Sequence, residues 1–187
     1  MGLANSLTIL RILLIPVFVS LLVYGRPGAA LVVFMVAALT DLLDGWVARI
    51  QGSQSRLGAF LDPMADKLLL VASFVTLTYL KVLPFWITAV VISRDVMLVV
   101  GTLLVYVVGG RIHPRPTRAG KIATFFQVLT VLSGLAARDF TLPLAPDVFM
   151  WLAALFTVVS GLQYLGQGMR YLNATTTERD EADEHVF

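Results

Sequence analysis

The sequence predicts an all-α integral membrane protein with six transmembrane helices and both termini in the cytoplasm. Three observations carry this prediction. First, 58% of the 187 residues are hydrophobic and only 14% are charged, against roughly 25% charged in a soluble domain. Second, six apolar runs stand near the roughly 20 residues that a helix needs to cross a hydrocarbon core. Third, basic residues gather in alternate connections, as they do where one side of a membrane is cytoplasmic.

The runs follow in order at about Leu7–Tyr24, Ala29–Ala48, Ala59–Leu80, Pro84–Val108, Ile122–Ala137 and Val148–Leu172. Glycine or proline marks every break: GRPG at 25–28, QGSQSR at 51–56, KVLP at 81–84, GGRIHPRPTRAGK at 109–121 and RDFTLPLAPD at 138–147. The second and fourth connections and the C-terminal side carry Arg49, Arg56, Arg111, Arg115, Arg118, Lys121, Arg170 and Arg179, eight basic residues against Arg26, Lys81 and Arg138 on the other side. The opening lacks the basic start and small-residue cleavage site of a secretory signal, so the first run is expected to be retained. Residues 1–172 are expected to form one membrane domain. Residues 173–187, with Glu178, Asp180, Glu181, Asp183 and Glu184, are expected to form a disordered acidic cytoplasmic tail.

Composition also excludes chemistries. There is no cysteine, so no disulfide, thiolate metal site or cysteine nucleophile exists. His113 and His185 are the only histidines and lie far apart, which argues against a histidine-rich zinc site. The net charge of +2 hides an acidic tail on a basic body, which suits an anionic substrate or lipid surface. No basic stripe with interleaved aromatics is present, so nucleic acid is not an expected partner.

The densest polar chemistry lies between Asp41 and Asp66, with the spacing D-x2-D-G-x2-A-R-x8-G-x3-D-x3-D. On helices, Asp41 and Asp44 share a face, as do Asp62 and Asp66. A turn between the two helices would let all four carboxylates converge. Carboxylates in a membrane are costly and mark function, and four together require a compensating charge. A hard divalent cation with oxygen ligands fits. An ion path through a channel or transporter would also use intramembrane acids, but would not require the fixed Gly45, Arg49 and Gly58 around them.

Asp41, Asp44, Gly45, Ala48, Arg49, Gly58, Asp62 and Asp66 resemble, at every fixed position, the signature of the class I CDP-alcohol phosphatidyltransferase family. The earlier Asn5, Thr8 and Arg11 are similar to the family's N-x-x-T-x-x-R first helix, with Ala4 where a proline often stands. The resemblance implies transfer of a phosphatidyl group from a CDP-linked lipid to an alcohol with release of CMP. It implies Mg2+ or Mn2+, two ions, held by Asp41, Asp44, Asp62 and Asp66, with Asp66 also the general base. Carboxylates so placed titrate as a coupled set. Asn5, Thr8, Gly45, Arg49 and Ser55 would contact the CDP-lipid, and a homodimer is implied as well.

The fourth run contains Arg94 and Asp95, either a satisfied ion pair or part of an acceptor pocket. Arg118 and Lys121, three residues apart at the start of the fifth run, are candidates to hold an acceptor phosphate with Arg94. They also satisfy the positive-inside pattern. SRDVML and RPTRAGKIATFFQ resemble two branches of the family, one taking glycerol 3-phosphate and one taking phosphatidylglycerol. Both acceptors carry a phosphate, and the expected acceptor is glycerol 3-phosphate.

Overall fold

The computed structural model of the chain describes residues 3–51, 56–107, 117–139 and 146–184, with side chains described for 9–40, 67–101, 117–138 and 147–168. Six helices occupy these residues: α1 Leu3–Val23, α2 Pro27–Gln51, α3 Arg56–Tyr79, α4 Phe85–Val107, α5 Arg118–Asp139 and α6 Pro146–Glu184. Each expected apolar run has its helix. The α5 helix begins earlier than its apolar run because Thr117 caps it, accepting from the Gly120 amide at 3.1 Å through its hydroxyl. Arg118 and Lys121 therefore lie inside the helix.

Two helix ends are closed by the same device. After α1, the Arg26 amide donates to the Leu21 carbonyl (2.9 Å) and the Gly25 amide to Leu22 (3.1 Å), with Gly25 at φ 71°. This six-to-one and five-to-two pair satisfies carbonyls that the helix leaves open, and Pro27 then starts α2 without an amide proton. After α3, Val82 donates to Leu77 (2.9 Å) and Lys81 to Thr78 (3.0 Å). Here Lys81 occupies the left-handed position at φ 59°, without a glycine's freedom.

Hydroxyl and ion pairs set the directions of the helices. Thr78 and Thr88 hydroxyls meet at 2.6 Å near the α3–α4 turn, and Lys67 reaches Asp95 at 3.0 Å at the far end, so α3 and α4 are antiparallel. Thr117 lies against Tyr164 and Gln127 against Thr157, so α5 and α6 are antiparallel and closely packed. Trp86 packs at a tilt against Trp151 with ring centroids 4.8 Å apart while Arg94 meets Ser160, so α4 and α6 run parallel. The α1 helix packs on α2 and α3, and α5 on α2 and α3.

The core draws on all six helices: Phe18 and Phe34, with centroids 5.8 Å apart, sit with Leu70, Phe74, Val91, Leu135 and Met150, all buried. The outer surface is also apolar. Leu13, Val99 and Leu162 are each at least 60% exposed, an arrangement water would not favour over so many helices. Buried hydroxyls turn back on their own helices, Ser73 to the Leu69 carbonyl (2.7 Å) and Thr130 to Phe126 (2.8 Å). Among the described residues, Arg118–Arg138 and Asp147–Gly168 are long and apolar enough to cross a membrane.

Helix α6 runs on past its apolar run, through Asn173 to Glu184. Beyond Gly168 it holds no glycine or proline, while alanine, glutamate and arginine recur there, and these favour the helix already begun.

Candidate active site

The structure places the segments that carry the acidic motif in two successive helices. Asp41 and Asp44 lie one turn apart in the C-terminal half of α2 and are followed there by Gly45 and Arg49. Asp62 and Asp66 lie one turn apart in the N-terminal half of α3. Asn5 and Thr8 belong to the first turns of α1. The side chains of these residues lie outside the described set, and Ser55 lies outside the described residues altogether. Both acidic segments stand on helix backbone next to the α2–α3 connection, the arrangement that convergence would need.

Described side chains begin at the next residue, Lys67. Its ammonium donates to both oxygens of Asp95 in α4, at 3.0 and 3.2 Å. The same Oδ1 accepts from Arg94 Nη1 at 2.7 Å. The expected Arg94–Asp95 ion pair is therefore present, and Lys67 joins it. The guanidinium is 7% exposed. Its Nη2 donates to Ser160 Oγ in α6 at 3.2 Å, while its Nε is buried with no acceptor. Charge in a helix bundle interior is tolerated where it is paired in this way.

Arg94 also meets the start of α5. Gly120 faces it so closely that a Cβ there would fall 2.9 Å from Nη2. The site is thus bounded by Lys67 of α3, Arg94 and Asp95 of α4, the first turn of α5 and Ser160 of α6. Arg118 and Lys121 lie in that same first turn, and both side chains are exposed. The structure brings Arg94 to the helix turn that carries the other two basic residues. The amide ends of a helix N-terminus add partial positive charge there. Cationic side chains and helix-terminal amides are the kinds of donor a phosphate takes.

Sequence reasoning did not single out Lys67, Gly120, Ser160 or the buried pair Gln127 and Thr157. Lys67 is separated from its acid by 28 residues, a distance no local spacing reveals. Arg11 was visible only as the last residue of a motif, yet it is fully buried in α1. Gln127 is fully buried too and donates to Thr157 Oγ1 at 3.0 Å. Its only outward signal was an amide in an otherwise apolar run.

Comparison with known proteins identifies the family. A family model for CDP-alcohol phosphatidyltransferases matches residues 1–159, from α1 into α6. The CDP-diacylglycerol--glycerol-3-phosphate 3-phosphatidyltransferase of Bacillus subtilis is 34% identical over 93% of this chain and 98% of its own length. A protein of Mycobacterium tuberculosis named "Probable phosphatidylglycerophosphate synthase" is 37% identical over 90% of this chain and 82% of its own. Human cardiolipin synthase (CMP-forming) is also 37% identical, over 82% of this chain but 56% of its own length. The match spans both acidic segments and the helices α4 and α5, and the chain belongs to the CDP-alcohol phosphatidyltransferases, a family of membrane-bound enzymes.

Proposed function

We propose that this enzyme transfers a phosphatidyl group from CDP-diacylglycerol to glycerol 3-phosphate, releasing CMP and forming phosphatidylglycerophosphate. The observation that carries the reading is the near end-to-end match to the Bacillus enzyme of that name. The acceptor oxygen attacks the phosphorus that bears the diacylglycerol. The bond from that phosphorus to the bridging oxygen of CMP breaks, CMP leaves, and the proton of the acceptor hydroxyl passes to Asp66. Arg94, Arg118 and Lys121 hold the acceptor's own phosphate. Asn5, Thr8, Gly45, Arg49 and Ser55 line the CDP-lipid.

Asp41, Asp44, Asp62 and Asp66 form an all-oxygen, hard donor set that fits Mg2+ or Mn2+. When bound, such ions neutralise the pyrophosphate and polarise the phosphorus under attack. In this reading the six helices span the membrane with both termini and the acidic motif on the cytoplasmic side, and the chain works as a homodimer. The outward apolar residues on α1, α4 and α6 support contact with lipid.

The test uses purified protein with CDP-diacylglycerol, Mg2+ or Mn2+ and labelled alcohols. CMP release with glycerol 3-phosphate supports the proposal. Release with phosphatidylglycerol alone moves the acceptor to that of the cardiolipin synthases. Release with neither overturns the acceptor reading altogether. Chelation of the metal is expected to stop the reaction, and adding back either ion to restore it.

A further inference from the structure

The acid beside Arg94 serves two cations. Asp95 Oδ1 accepts from Arg94 at 2.7 Å and from Lys67 at 3.0 Å, and Oδ2 lies 3.2 Å from the same ammonium. Two positive groups and one negative group leave this cluster with one net positive charge. The charges are graded in depth: Arg94 is 7% exposed, Asp95 14% and Lys67 34%. Lys67 directly follows Asp66 on α3, and Arg94 directly precedes Asp95 on α4. The ion pair therefore ties the backbone that carries the proposed base to the backbone that carries the proposed acceptor arginine. Among the described residues, the other polar ties between α3 and α4 run from Thr88 to the Thr78 hydroxyl and to the Phe74 carbonyl, seven to eleven residues further along α3, about 10–16 Å away.

An arginine paired one-to-one with a carboxylate presents almost no net charge to an incoming anion. Asp95 without Lys67 would be such a partner, and it would repel the acceptor phosphate nearly as strongly as Arg94 attracts it. With Lys67 in place the acid is shared, Arg94 keeps its attraction, and its buried Nε remains an unfilled donor.

We propose that Lys67 is a positioning residue for the acceptor: by sharing Asp95 it leaves Arg94 free to attract the acceptor phosphate, and it fixes Arg94 relative to the α3 segment that bears Asp66. This rests on the reading of Arg94 as a group that holds the acceptor phosphate. Lys67 touches neither substrate; it acts through Asp95.

The experiment measures, on the full chain, KM for glycerol 3-phosphate and for CDP-diacylglycerol, and the rise in melting temperature on adding glycerol 3-phosphate. Lys67→Met is expected to raise KM for glycerol 3-phosphate on the order of tenfold and to abolish the thermal shift. KM for CDP-diacylglycerol should stay within about twofold. Lys67→Arg should stay near wild type. Adding Asp95→Asn to Lys67→Met removes the acid that Lys67 offsets, and should recover most of the lost acceptor affinity. A purely structural tie would give the opposite, since the double variant would be the weaker protein. An unchanged acceptor KM in Lys67→Met, or no recovery in the double variant, overturns the proposal. If Lys67→Met does not accumulate, the double variant is compared with Asp95→Asn alone. With no acid to offset, the two should share one acceptor KM, and a difference beyond about threefold overturns the proposal. Arg94→Ala separates the two readings. If it leaves the acceptor KM unchanged, the acceptor pocket itself is misplaced; if it raises that KM while Lys67→Met does not, only the role of Lys67 fails.

Discussion

Replacing Gly120 by alanine is expected to weaken acceptor binding while leaving the protein about as stable. The Gly120 backbone is fixed by the cap, since its amide donates to Thr117 Oγ1 at 3.1 Å. An added Cβ would lie 2.9 Å from Arg94 Nη2 and 3.2 Å from both Ser160 Oγ and Thr117 Oγ1, whereas ordinary contact begins at 3.4 Å. The guanidinium must therefore retreat by about half an ångström. It cannot do so freely, because Asp95 holds Nη1 at 2.7 Å and Ser160 holds Nη2 at 3.2 Å. Alanine favours a helix interior over glycine by about 1 kcal/mol, and a stretched hydrogen bond costs about as much. Net stability should thus stay within about 1 kcal/mol. A misplacement of about 1 Å in a positioned group can cost on the order of a hundredfold in rate, so half of that should cost about tenfold in kcat/KM for glycerol 3-phosphate. Initial rates with each substrate varied against a saturating other would separate the effects. An unchanged kcat/KM for glycerol 3-phosphate, or an equal loss for CDP-diacylglycerol, would refute the role assigned to Arg94 and its close approach to α5.

Three further outcomes are expected. Asp66→Asn should lower CMP release by at least about a hundredfold, with helical circular dichroism unchanged; activity near wild type would remove Asp66 as the base. Lys81→Gly should stabilise the protein by about 1 kcal/mol, read as a higher melting temperature in detergent, because it relieves a left-handed residue with a side chain at φ 59°. Gln127→Leu alone should cost about 1–3 kcal/mol by stranding the buried Thr157 hydroxyl, whereas Gln127→Leu with Thr157→Val should be nearly neutral; additive losses would show that the pair is not coupled.

The helix inventory was legible because six apolar runs broken by glycine and proline have few other solutions in a chain this poor in charge. Where hydropathy and helix diverge, capping and propensity decide. Capped by Thr117, α5 starts at Arg118, four residues before its apolar run begins at Ile122, and alanine and glutamate carry α6 past its last apolar turn. The acidic motif was legible for a different reason: its residues are local, and their spacing is the signal. The acceptor side was legible only in part. Arg94 and Asp95 stand out as charges in an apolar run, but Lys67 resembles an ordinary helix lysine until α3 and α4 are laid antiparallel. Gly120 is a glycine among other loop-side glycines until Arg94 is seen against it. Contacts between helices distant in sequence leave no pattern in any one of them.

The fastenings of the bundle are unevenly distributed along its length. The tight turns at Gly25 and Lys81, the Thr78–Thr88 hydroxyl pair and the Trp86–Trp151 ring contact all lie at the end away from the acidic motif. The pairs α1–α2 and α3–α4 are thus each clamped at one end like a pair of tweezers. With helices about 30 Å long, a one-degree change of angle at the clamp moves the free tips by about half an ångström, the same displacement that an alanine at position 120 would impose. At the tips, Lys67, Asp95 and Arg94 act as the catch that keeps the jaws at their working separation.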